Sequence, residues 1–152
     1  MDIRPDDLTG PEILDLLNEH LRNMYEWSPP ESVHALDIAK LQRPEITFWT
    51  AWQDGLLMGC GALKELSPTE GEVKSMRTPD ARRGQGAGRR MLEHIVAVAR
   101  ERGYAWLRLE TGSQPGFAPA RRLYASHGFE TRGPFADYIE DPNSVFMQLR
   151  LR

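Results

Sequence analysis

A chain of 152 residues, 40% hydrophobic and 27% charged, has material for one core and hardly enough for two, which predicts a single domain over residues 1–152. Its formal net charge of −3 argues against a dedicated polyanion binder, so any attraction for phosphate must come from a local cluster. The one cysteine, Cys60, excludes an internal disulfide and any zinc site built on several thiolates. No apolar run reaches the length of a membrane span, and the acidic, proline-containing start MDIRPDD is unlike a secretory leader. A cytoplasmic protein with no membrane partner is the default expectation.

In chain order, MDIRP reads as a short first strand. Residues 7–27 have Ile13, Leu16, Leu17, Leu21 and Met24 at helical spacing, which predicts an amphipathic helix. Thr9 followed by Glu12 fits a capping box at its start. The SPP of residues 28–30 breaks the chain, and residues 31–42 give a second, shorter helix before Pro44. Two β-rich runs over residues 46–66 are joined by Asp54-Gly55, a pair that tolerates a type I′ hairpin turn. Cys60 falls in the second run, where a free thiol behaves as a small buried hydrophobe. GEVKSMRT, residues 71–78, is the next strand, reached through a turn over residues 67–71. A glycine turn follows, then a helix carrying Met91, Leu92, Ile95, Val96 and Ala99 on one face, with Gly103 suited to its end. Residues 105–111 form a strand, residues 116–129 a short helix closed by Gly128, and two last strands lie around ETRGPFADY and SVFMQLRL. Seven strands and four helices in this order predict an α/β (or α+β) fold with one mixed central sheet.

The glycine turn carries the chemistry. Backbone N–H groups at a helix start lack intrahelical partners, and the helix dipole adds about half a positive charge there, so an anion is the natural occupant. Gly84, Gly86 and Gly88 let the backbone approach it, and Arg82, Arg83, Arg89 and Arg90 add charge at the rim. A Walker A loop needs Lys followed by Ser or Thr after its last glycine, and here Arg89 and Arg90 follow. A dinucleotide fingerprint needs G-x-G-x-x-G early in a βαβ unit, and the spacing here is G-x-G-x-G, late in the chain. The spacing R-x-x-G-x-G is met by Arg83, Gly86 and Gly88.

With that loop, and with RLYASHGF supplying Ala120, Leu123, Tyr124, Gly128 and Phe129 of an Ala-x-x-Leu-Tyr-x-x-x-Gly-Phe pattern, the chain resembles the GNAT superfamily of N-acetyltransferases over nearly its whole length. EVKSMRT, LETGS and DPNSVFM further resemble small bacterial members. The resemblance implies acetyl-coenzyme A as cosubstrate, an amine as acceptor and no metal. It implies that Met76, Arg77 and Thr78 line a gap for pantetheine, and that the backbone from Arg83 through Gly84, Gln85, Gly86 and Ala87 to Gly88 holds the pyrophosphate, with Arg89 nearby. Phe117 stands where the family often has asparagine, which removes one polar contact beside Ala120. Tyr124 matches the proton donor to the leaving thiolate, and Glu72 lies where similar enzymes carry a catalytic or water-relaying glutamate.

The acceptor pocket implied by the resemblance lies between the first two helices and the last two strands. Trp27, Glu31 and His34 are its candidates on one side, Asp137, Tyr138 and Glu140 on the other. Acidic and aromatic groups there suit a cationic amine. Arg77 and Lys74 could instead pair with an acceptor carboxylate. A small amine or amino acid is the leading acceptor, a protein or peptide amine the second. A catalytically silent acyl-coenzyme A sensor is the reading from another class. Nucleic acid is disfavoured, because the arginines cluster at one turn of a negative chain. A homodimer is compatible with the resemblance and not required by the residues.

Overall fold

The computed structural model describes residues 1–29 and 38–152. Seven strands form one sheet: β1 (Asp2–Pro5), β2 (Ile46–Gln53), β3 (Leu56–Ser67), β4 (Glu70–Arg77), β5 (Trp106–Gly112), β6 (Glu130–Arg132) and β7 (Ser144–Arg150). Their spatial order is β1-β2-β3-β4-β5-β7-β6, and every neighbouring pair is antiparallel except β4 and β5. The helices are α1 (Pro11–Trp27), α2 (Ile38–Leu41), α3 (Ala87–Glu101) and α4 (Ala118–Ser126). This is the mixed α/β architecture the sequence predicts.

Each helix is held by the face its sequence makes apolar. Met91, Leu92, Ile95, Val96 and Ala99 of α3 are buried against Val73, Leu107, Leu109 and Met147, with Tyr124 of α4 in the same cluster. Ile13, Leu16 and Leu17 of α1 pack with Phe48, Cys60 and Ala62 in a second cluster. Fully burying one such side chain contributes about 1.5–3 kcal/mol, so these faces outweigh the intrinsic propensity of either helix. The hairpin turn forms as expected, with Asp54 at φ 52° and Gly55 at φ 76°. Cys60 is buried, its thiol pushed up to about 12 by burial, and Sγ donates to the Ser75 carbonyl at 3.2 Å.

Three local expectations change. The capping box at Thr9 does not form: Gly10 is the N-cap, Pro11 follows it, and the Thr9 hydroxyl donates to Asp7 Oδ1 at 2.6 Å instead. The shift follows from Pro11, which has no N–H and is preorganised for the first helical position. The strand around ETRGPFADY stops at Arg132, because Pro134 cannot donate to a ladder. Leu21 and Met24 are only half-buried, and Asn23 takes the buried position on that part of α1. The first part of the second predicted helix lies outside the described residues, as do Glu31 and His34.

Candidate active site

The parallel pair β4–β5 sets the site. Its ladder covers only Glu70 with Trp106, Gly71 with Leu107, and Glu72 with Arg108; after that the strands diverge. On its other edge β4 pairs with β3, and their register slips between Cys60 and Ala62, where Ser75 adopts a left-handed φ of 55°. Such bulges re-aim backbone groups and concentrate beside active sites. The wedge between the strands opens into a cleft of about 490 Å³. Met76 and Arg77 of β4 and Thr78 just past it border it on one side, Glu110, Thr111 and Gly112 of β5 on the other.

One end of the cleft is the glycine turn, where Arg83, Gly84, Gly86, Gly88 and Arg89 line it. Gly84 and Gly86 have φ of 78° and 86°, a region costly for any residue with a Cβ. Gly86 is also the N-cap of the 15-residue α3, so its neighbours' amides point along the helix axis into the cleft's rim. The sequence expectation of an anion cradle therefore has a built counterpart in the backbone.

The other end is walled by three segments tied together. Ser28, just past α1, donates to Gln114 Oε1 at 3.3 Å, and Gln114 Nε2 donates to Asn143 Oδ1 at 2.6 Å. Arg121 donates to the Gly112 and Gln114 carbonyls, pinning the loop before α4. Trp27 lies edge-on to Phe117, ring centroids 5.1 Å apart. A Cβ on Gly116 would fall 2.4 Å from the indole, so only glycine lets the ring lie there.

Two ionisable groups meet in the wedge. Glu110 is largely buried, and its pKa is pushed up to about 7, first by loss of water and then by the negative charge of Glu72, with Lys74 opposing. Tyr124 is 6% exposed on α4, lines the cleft, and is held well above the usual phenol range by burial and by the Glu110 charge. One is thus a carboxylate with a base's affinity for protons, the other a hydroxyl that keeps its proton.

A model of the GNAT acetyltransferase family matches residues 12–129. The "uncharacterized N-acetyltransferase" YsnE of Bacillus subtilis (strain 168) is 56% identical over 99% of this chain and all of that protein. The chain belongs to the GNAT family of acetyltransferases. The "uncharacterized N-acetyltransferase" YedL of Escherichia coli (strain K12) is 47% identical over 98% of this chain and 94% of its own. Among solved structures, a GNAT family acetyltransferase from Elizabethkingia anophelis with acetyl-CoA bound shares the fold at a TM-score of 0.71 and 18% identity. That alignment covers 99% of this chain and 97% of the other.

The residues present fit acetyl-coenzyme A as cosubstrate: glycines at positive φ before a helix start for phosphate, and a splayed strand pair for the pantetheine arm. Of the residues expected around it, Met76, Arg77, Thr78, Arg83, Gly84, Gly86, Gly88, Arg89, Phe117, Ala120 and Tyr124 line the cleft. Gln85 stands outside the lining, and Ala87 buries its side chain in the core, so either serves through its backbone. Trp27 and Lys74, expected at the acceptor, also line the cleft.

Glu72 and Tyr138 do not line it. The Glu72 carboxylate, 2% exposed, accepts hydrogen bonds from Tyr138 Oη at 2.7 Å and Lys74 Nζ at 3.2 Å. These bonds hold the carboxylate outside the lining, while Lys74 itself remains part of the lining. The sequence reading missed Glu110, although a signal was present: a glutamate between Leu109 and Thr111, near the carboxyl end of a strand, is where α/β sheets place ligand contacts.

Gly86→Val tests the cradle. A β-branched residue at φ 86° costs about 1–2 kcal/mol and turns the local amides, which should weaken acetyl-coenzyme A binding roughly tenfold or more in calorimetry. Unchanged affinity in a folded variant would exclude this turn as the pyrophosphate site.

Proposed function

We propose that the enzyme transfers the acetyl group to the primary amine of a small molecule or amino acid, with Glu110 as base and Tyr124 as acid. The observation that carries this reading is the meeting of Glu110 and Tyr124 in the wedge where β4 leaves β5. The cosubstrate supplies an activated acyl group; the chain must supply a proton acceptor, a proton donor and a polarised environment. Glu110 takes the proton from the ammonium or from the attacking amine, a role that suits a carboxyl titrating at about 7. Backbone N–H groups at the Ser75–Met76 bulge are placed to favour charge developing on the acyl oxygen. Tyr124, still protonated at neutral pH, returns a proton to the departing sulfur.

A small acceptor is favoured over a peptide by the tied wall. Ser28, Gln114 and Asn143 join three segments around the acceptor end, and about 490 Å³ must hold the pantetheine arm and the acceptor together. A peptide acceptor needs an open groove. Thiol release with acetyl-coenzyme A and a panel of small amines tests the proposal: turnover with free amines supports it. Turnover with peptides alone would favour the open-groove reading, and tight cofactor binding without any turnover would leave a sensor module.

A further inference from the structure

The α1 wall has no role in the chemistry above, yet it carries unusual polar groups. His20, Met24 and Trp27 recur at helical spacing and all line the cleft. His20 Nδ1 is sealed from solvent with no hydrogen-bond partner among the described residues, and so is Arg77 Nε. A buried polar atom left without a partner is destabilising, so each is a candidate to meet a ligand. Arg77 is otherwise held by Asp80 at 3.1 Å and lies 3.6 Å from Glu19.

Burial, and after it the Arg77 charge, brings the His20 pKa down to about 4, so the ring is neutral at physiological pH. A neutral imidazole has one bare nitrogen and one N–H. Beside a guanidinium, the sealed Nδ1 is better as a lone pair than as a donor. That leaves the proton on Nε2, and His20 is part of the cleft lining. Of the charged groups in the lining, Arg77 acts on His20, Lys74 acts on Glu110, and Arg83 and Arg89 belong to the glycine turn.

We propose that His20 donates a hydrogen bond through Nε2 to a carboxylate of the acceptor, with Arg77 supplying the favourable field, so that the substrate class is an amino carboxylic acid. The amine end then meets Glu110 while the acid end meets the α1 wall. An amine without the carboxylate leaves the donor unpaired in a buried site. Spacing along α1 held this signal too, because His20 falls on the same stripe as Met24 and Trp27 and not on the solvated face.

This inference rests on the small-acceptor reading, and its test separates the two. Thiol release is measured with free amino acids, their decarboxylated amines and their amides, for wild type, His20→Leu and His20→Gln. Wild type should prefer the acids. His20→Leu should lose roughly 10- to 100-fold in kcat/KM for the acids through a raised KM, with the other two panels little changed. His20→Gln keeps an N–H donor and should recover part of the loss. Coenzyme A affinity by calorimetry should stay constant, which controls for folding.

A second arm needs no turnover: N-acetylated amino acids and their amides are titrated onto protein saturated with coenzyme A. Acid forms should bind more tightly in wild type only. If no amine turns over but this acid preference persists and depends on His20, the transfer reading fails and the carboxylate subsite stands. Equal losses across all panels, a wild-type preference for amines or amides, or no binding preference for the acid forms would overturn the subsite.

Discussion

Replacing Tyr124 with Phe should leave the melting temperature and acetyl-coenzyme A affinity nearly unchanged while turnover falls about a hundredfold to ten-thousandfold. That range corresponds to about 3 to 5 kcal/mol of barrier. The side chain is buried in the α3 cluster and packs against Phe129 with ring centroids 5.8 Å apart, contacts that Phe preserves. Its hydroxyl makes no hydrogen bond to a described residue, so its removal leaves no partner unsatisfied in the protein. A role in packing alone would therefore cost little in either stability or rate. Because burial and the Glu110 charge keep the phenol protonated, the donor is present across the working pH range. The thiol of coenzyme A is a fairly good leaving group, which makes the measurement discriminating. Should the variant keep more than about a third of wild-type turnover with chemistry rate-limiting, Tyr124 is a packing residue and not the acid.

The parts of this fold that were legible in the sequence are those written in periodicity and turn chemistry. The five apolar positions expected on α3 are all buried, and Asp54-Gly55 turns the hairpin with positive φ at both residues. The glycine turn and the Leu-Tyr of α4 were legible because their chemistry is local: φ values, a helix start and a phenol on a fixed face. The proposed base, Glu110, was not, because a carboxylate's basicity depends on what surrounds it. Glu72 and Glu110 are both acidic residues on adjacent central strands, on the same side of the sheet as Lys74. Only the divergence of β4 from β5 decides that one is sequestered by Tyr138 and Lys74 while the other faces the cleft. His20 escaped for the same reason: a histidine on an amphipathic helix acquires meaning from Arg77, which is 57 positions away in the chain. The capping box failed on a local conflict, since a proline at the first helical position displaced the cap to Gly10.

Glu110→Gln should separate catalysis from stability, because the burial that suits Glu110 to the proposed role of base also burdens the fold. Its folded-state pKa is raised from 4.5 to about 7, so the native protein holds this proton more tightly than the unfolded chain does. The sign follows: the associated stability is fully present below about 4.5 and is lost as pH rises through about 7. At about 1.4 kcal/mol per pKa unit, charging the buried carboxyl costs the fold on the order of 3 kcal/mol above pH 7. Glutamine keeps the shape and never charges. The variant should therefore gain thermal stability over wild type at pH 8 and lose that advantage at pH 4, measured by scanning calorimetry at both. Activity should move the other way. Wild-type kcat/KM rises with pH to a shoulder near 7 as the base deprotonates, and that limb disappears in the variant. The remaining rate should be about a hundred to ten thousand times lower. A rise in stability at pH 8 with full activity would make Glu110 a buried burden with no part in proton transfer. A fall in activity with no pH-dependent stability gain would place its effect in geometry, and the base would have to be sought elsewhere along the cleft.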